Sequence, residues 1–430
     1  MNDWQKYFSV FLVSLGICTL FVNNLNAKSF GLQNAGIESI VERGTVYLDG
    51  SSIPEFIPSG DTFRYQDRSY AMKQPGQFFL GAVVYYPLYL INWRFMNHYD
   101  YVSHIITFFT SGFMVALIAT ILYLISHSWW GPLVLLSTII LPYSGVTHHD
   151  VIATGVLSIA WFLTIRKQYF VSGIMAGLVL FFSMLPLTST LAILIAIWLA
   201  SRSWKLTWQY MLGFGIGLLP SLIFNYLNFA NPLLFPNLAG KVSDTIPLLD
   251  INNLFTHLYF YLLDPKTSLF FFSPILVFAI FGLKIVFAKS RFLGYLVVVA
   301  PILLILHVSM QETFGGYQYG PRYLLPIIPL LAVSAAIAWR ELLSIARTIF
   351  LVLFVYSLIV ALIGAMTTVM YPMPNTPYAP FAQLTLLFAE PPRYRMMPLG
   401  FLLIVIGLLF GLAGLKRALK HVNPVGRLDQ

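Results

Sequence analysis

Residues 315–338 read GGYQYGPRYLLPIIPLLAVSAAIA. Three glycines and a proline make a tight loop, and the chain then runs from Tyr323 to Ala338 without a charge. A run of that kind reads as a helix in a bilayer. Arg322 is the one charge of the motif and stands at the outer edge of the apolar run. A guanidinium beside tyrosines suits a bidentate grip on phosphate. It equally suits an interfacial anchor within an aromatic belt.

The pattern recurs along the chain. Of 430 residues, 58% are hydrophobic and 10% charged, against roughly 25% charged in a soluble globular protein. That excludes a soluble fold of this length. The long apolar runs also exclude a transmembrane barrel, whose strands alternate over ~10 residues. The expected fold class is an all-α polytopic membrane protein with about 12 transmembrane helices. They fall at about 7–22, 102–125, 129–144, 147–165, 169–185, 187–200, 208–227, 269–287, 292–310, 323–338, 342–370 and 397–415. The third to sixth are short against the ~20 residues of an untilted crossing. The first reads as an uncleaved signal anchor. Residues 1–430 form one integral membrane domain in this reading. Cys18 is the one cysteine, which rules out an internal disulfide and thiolate metal sites.

Charge sets the orientation. With the N-terminus in the cytoplasm, the inner segments hold 14 Lys and Arg against Asp3, Glu341 and Asp429, which leaves 11 basic and 13 acidic residues outside. The net charge of +9 is then a positive-inside signal, and no nucleic-acid partner is expected. Both termini are expected in the cytoplasm, and the short inner connections suggest the inner (cytoplasmic) membrane of a prokaryote. The aromatic stretch 77–91, with Pro87, would put Arg166 and Lys167 outside if it crossed, so it reads as an interfacial helix. The polar mass lies in extracytoplasmic loops at 23–101, 228–268, 311–322 and 371–396. No phosphate-binding P-loop and no dinucleotide fingerprint is present.

Four groups of residues can carry chemistry. In the first loop, the acids include Glu38, Asp61 and Asp67, each of which also suits a plain solvated loop; Asn34–Arg43 reads as a short amphipathic helix closed by Gly44. Lys73 precedes the Pro75-Gly76 turn at headgroup depth, where it can meet a lipid phosphate or merely snorkel. His148-His149-Asp150 opens an apolar helix. Asp150 can serve there as a cap or as a functional acid. Neighbouring histidines do not share one helix face, so no metal is assigned to the triplet. Tyr319 and Tyr323 flank Arg322, and Arg393 and Arg395 precede the 397–415 span.

At these motifs the chain resembles the membrane-integral GT-C glycosyltransferases, the superfamily of protein O-mannosyltransferases and lipid A aminoarabinose transferases. The resemblance rests on a first span followed by a large loop with VERGTVYLDG, on Tyr70 followed by KQPG, on the His/Asp element and on GGYQYGPRYLLPIIPLLA. It implies a GT-C-like fold and a sugar donor carried on polyprenyl phosphate, bound from the outer leaflet. It further implies a loop carboxylate that assists transfer, with inversion, to a hydroxyl of a lipid, glycan or protein. Lys73 and Arg322 would contact the lipid phosphate, with Tyr319, Tyr323, Arg393 and Arg395 beside it. Asp150 would match the acid of the second loop. The acid that usually follows the first span is missing from AKSFGLQNAG, which leaves Glu38, Asp61, Asp67 and Asp150 as candidates. The expected partners are the polyprenyl-phosphate sugar donor, membrane lipids and an unidentified acceptor. No cofactor is assigned, although a divalent cation accompanies some members. A transporter, a lipid flippase or a catalytically inactive member are the alternatives.

Overall fold

The computed structural model describes residues 3–239, 249–313, 315, 318–370, 380–389 and 391–422. Among them, four helices are long and apolar enough to cross a membrane: Phe95–Ser126, Trp204–Phe229, Arg291–Ser309 and Ser344–Met366. Shorter apolar helices are His149–Ile165, Tyr169–Phe182, Leu187–Ser201, Arg322–Ala338 and Met397–Ala413. The protein is a helical membrane protein.

Two of the expected spans are not single helices. Within 129–144 the chain forms Trp130–Leu136 and then Ile140–Ser144. Between them the Ser137 and Thr138 hydroxyls donate to the Val134 and Leu135 carbonyls at 2.9 and 2.6 Å. Side chains that bond the local backbone in this way compete with helix propagation. Within 269–287 the chain forms Leu269–Phe272, a 3₁₀ turn at Pro274–Phe278 and the helix Ala279–Lys289. The two breaks meet, because the Ile139 N–H donates to Ser273 Oγ at 3.2 Å. Uniform apolar composition hides such breaks from hydropathy.

The tightest helix pair is built on glycine. Gly173 and Gly177 on Tyr169–Phe182 face Gly213 and Gly217 on Trp204–Phe229. A Cβ at Gly173 would lie 2.1 Å from the Tyr210 carbonyl oxygen, and one at Gly213 would lie 2.0 Å from that of Phe170. The corresponding distances are 2.2 Å from Gly177 to Phe214 and 2.0 Å from Gly217 to Ile174. Two small-xxx-small stripes let the backbones touch, which is how helices gain contact in lipid. The helix Asp3–Leu20 packs against Met397–Val422 by similar means, with Gly16 against the Gly400 carbonyl.

The segment after the first helix is a layered cap. Gly31–Arg43 is helical and ends at Gly44, whose φ of 65° is left-handed. A hairpin follows that the sequence reading did not anticipate. β1 (Thr62–Tyr65) pairs antiparallel with β2 (Arg68–Ala71), Tyr65 opposite Arg68. Its two-residue turn has positive φ at both Gln66 and Asp67. The helix Gly76–Leu90 comes next, with Pro75 at its N-cap and Pro87 inside. Exposed Val83, Tyr86 and Leu90 on that helix form an outward apolar face.

Candidate functional site

The site grows from a helix start. His148 is extended, with φ −126° and ψ 122°, and caps the helix His149–Ile165. Its Nδ1 accepts the Asp150 N–H at 3.2 Å, while its own N–H donates to Ser111 Oγ at 3.0 Å. The cap is therefore His148, and the Asp150 carboxylate is left for other work. Asp150 Oδ1 accepts the Ser183 hydroxyl at 2.8 Å and lies 3.4 Å from His149 Nε2. Asp150 Oδ2 and His148 Nε2 are buried and bond to nothing among the described residues.

The helix-face argument against a metal does not apply here, because His148 stands outside the helix. The two imidazoles stack with centroids 4.7 Å apart and planes 13° from parallel. One ligand atom from each of His148, His149 and Asp150 falls within 4.8 Å of the others. Two imidazoles and a carboxylate are a donor set that suits a divalent transition metal.

Two cations from remote parts of the chain bear on this triplet. Arg322 opens the 3₁₀ turn Arg322–Ile327 and is 8% exposed. Its guanidinium lies over the Tyr323 ring, 5.0 Å from the centroid, and its Nε is unpaired. The charges of both Arg322 and Lys73 act on His148 and His149, and Arg322 also acts on Asp150. Gly320 makes the turn possible: its φ is 66°, and a Cβ there would meet Ile139 and Phe272 at 3.0 Å.

Lys73 carries a partner of its own. Its Nζ is 3.0 Å from Asp61 Oδ1 at the foot of the hairpin, where the Met72 N–H also donates to the Asp61 carbonyl. Lys73 lines a small cavity of about 10 Å³ with Tyr70, Phe78, Phe79 and Phe224. Phe79 and Phe224 also line an adjoining open groove of about 460 Å³, which continues over Phe181, Pro220, Ile223 and Leu227.

The other candidates go elsewhere. Glu38 is buried, pairs with Arg43 at 3.3 Å and accepts the Ser52 N–H, so it holds the cap together. Asp67 is a left-handed residue at the exposed hairpin tip. Tyr319 is fully buried and donates its hydroxyl to the Val360 carbonyl at 2.5 Å; its carbonyl accepts from Tyr143. That is packing, in contrast to the ligand contact expected from its place in the motif. Tyr323 is half-buried beneath Arg322. Arg395 is engaged by Asp100 at 3.3 Å and lies 4.3 Å from the Tyr101 centroid. Arg393 uses its backbone N–H to bond Asn24 Oδ1. Gly316 and Tyr317 of the glycine-rich motif, and Arg427 and Asp429 of the charge count, lie outside the described residues. Sequence reasoning missed Ser111 and Ser183, two serines among many in apolar surroundings.

No protein-family model matches the chain, and no curated protein matches it. Its structure is similar to that of ArnT from Cupriavidus metallidurans. Against the apo state the TM-score is 0.54 at 15% identity, covering 96% of this chain and 77% of that one. Against ArnT bound to undecaprenyl phosphate the TM-score is 0.52, with the same identity and coverage. The chain has the GT-C fold. Likeness at that identity concerns architecture, so the roles of residues rest on their own geometry. Within this GT-C fold the triplet, the Lys73 turn and the Arg322 turn come from three separate segments.

Proposed function

We propose that the chain is a glycosyltransferase that moves a sugar from a polyprenyl-phosphate-linked donor to a hydroxyl of a lipid, glycan or protein. The observation that carries this reading is that Lys73 and Arg322 both stand close enough to the buried pair His148 and His149 to act on them, with Arg322 also close to Asp150. Two cations at one polar site suit a phosphate whose charge grows as the sugar departs. The undecaprenyl phosphate bound by ArnT is a ligand of that class. The apolar groove beside Lys73 offers room for a prenyl chain.

In this reading the acceptor oxygen attacks the anomeric carbon, and the bond from that carbon to the phosphate oxygen breaks. The bonding pair stays with the phosphate, which Lys73 and Arg322 stabilise. The acceptor proton passes to a carboxylate, and Asp150 is favoured as this general base because its Oδ2 is uncommitted. Glu38 is engaged by Arg43 and the Ser52 N–H, and Asp67 sits at the exposed hairpin tip. If the site holds a divalent cation, His148, His149 and Asp150 would bind it, and it would supply Lewis-acid stabilisation. The loops 23–101, 228–268 and 371–396 would face the extracytoplasmic side of the inner membrane, with both termini in the cytoplasm.

The test is binding of undecaprenyl phosphate to purified protein, wild type against Arg322→Ala and Lys73→Ala. Tight binding by wild type and its loss in folded variants supports the reading. Folded wild type that binds none would overturn it and turn attention to uptake or flipping in proteoliposomes.

A further inference from the structure

Gln77 lies in the first turn of the helix Gly76–Leu90, four positions beyond Lys73. It is fully buried, and neither its Nε2 nor its Oε1 bonds to anything among the described residues. Its neighbour Gln74, by contrast, donates to Asn237 at 2.8 Å. Buried amides are almost always hydrogen-bonded in native proteins, so one with both ends free calls for a partner, whether a ligand or an ordered water.

The surroundings say where it looks. Leu80, three residues on and on the same helix face, packs into the main core of the bundle. The start of this helix is pressed against Phe181, whose carbonyl oxygen lies 2.6 Å from the place of a Cβ on Gly76. Two residues further along, Ser183 holds Asp150. The same helix packs against His149–Ile165. Gln77 thus stands in the helix start that follows Lys73 in sequence and adjoins, at Gly76, the Phe181–Ser183 segment that holds Asp150.

A free carboxamide offers two donors and an acceptor side by side. A phosphate can use the donors alone, and a prenyl chain can use neither. A hydroxyl, or two neighbouring hydroxyls, can use both. We infer that Gln77 reads hydroxyl groups of the sugar on the donor, and so determines which sugar is taken. The inference rests on the reading of Lys73 and Arg322 as phosphate-binding.

The experiment compares undecaprenyl phosphate with its glucose, mannose, galactose and N-acetylglucosamine conjugates, on wild type and on Gln77→Leu, which keeps the volume and removes the amide. Wild type should bind at least one conjugate about tenfold more tightly than the bare carrier. Gln77→Leu should erase that difference while its affinity for the bare carrier stays within about twofold. Its melting temperature should not fall, because the change removes unpaired polar atoms from the interior. A preference that survives the substitution would overturn the inference. So would an equal loss for carrier and conjugate, a fall in melting temperature, or a wild type with no preference. A folded wild type that binds neither form would overturn the phosphate reading and this inference with it.

Discussion

Lys73 and Asp61 form a 3.0 Å ion pair between the turn before Gly76–Leu90 and the foot of the hairpin. Asp61 is about half exposed and Lys73 is mostly covered. A phosphate that reaches Lys73 must compete with this carboxylate. Partly exposed pairs of this kind contribute ~0.2–1 kcal/mol. Asp61→Asn should therefore raise affinity for undecaprenyl phosphate by about two- to fivefold, read by calorimetry. Unchanged binding with lost transfer would instead give Asp61 the role of base.

Asp150 and Glu38 separate chemistry from support. Asp150→Asn should lower the rate of transfer by about 10²-fold or more, the usual worth of a general base. Carrier binding should change little, since the phosphate contacts are left in place. Glu38→Gln should do the opposite. It removes the ion pair with Arg43, which keeps its bonds to Ser39, Tyr47 and Asp49, so melting temperature falls modestly while turnover per folded molecule is kept.

The glycine stripes give a prediction for stability. Gly213→Leu puts a side chain where the Phe170 carbonyl oxygen is 2.0 Å from the first added atom. The two helices must part, at a cost of about 1–3 kcal/mol or more. Gly215 lies on the same helix and meets nothing within 4 Å. Gly215→Leu should leave detergent unfolding near the wild-type midpoint. Equal effects of the two substitutions would refute the close approach.

Acid should loosen the hairpin first. Partial burial of Asp49 works against its charge, but the Ser69 N–H and hydroxyl, helped by Arg64, outweigh it and hold its carboxyl below the usual range. Its folded value lies below its unfolded one. The stabilisation is thus complete above the ordinary carboxylate range, and it is lost as pH falls through the lowered value. Amide exchange at Ser69 should rise in that acid window for wild type. Asp49→Asn should show no such step.

Much of the cap was legible because single residues punctuate it. Gly44 ends one helix and Pro75-Gly76 begins the next, each for a backbone reason that needs no tertiary knowledge. Lys73 and Arg322 stood out because charge is rare here. The hairpin was hidden: its strands have four residues each, and its turn uses Gln66 and Asp67 where glycine would have signalled it. The break within 129–144 was hidden too, because apolar residues fill both pieces. Tyr319 and Arg395 looked like ligands, since the residues that occupy them, Val360 and Asp100, are far away in sequence. The triplet was visible, but its geometry depended on one extended residue that periodicity treats as helical.

Asn23, Asn24 and Asn26 tie the start of the cap to the Ala365 and Thr367 carbonyls, to the Arg393 N–H and to the Val369 N–H. More than 330 residues of chain separate these partners. During synthesis the early segment must therefore wait, its asparagines unsatisfied, until residues 365–393 have emerged and been inserted. A chain halted before residue 365 lacks the distant groups that these three side chains bond. The cap can therefore lock against the bundle only once residues 365–393 are in place.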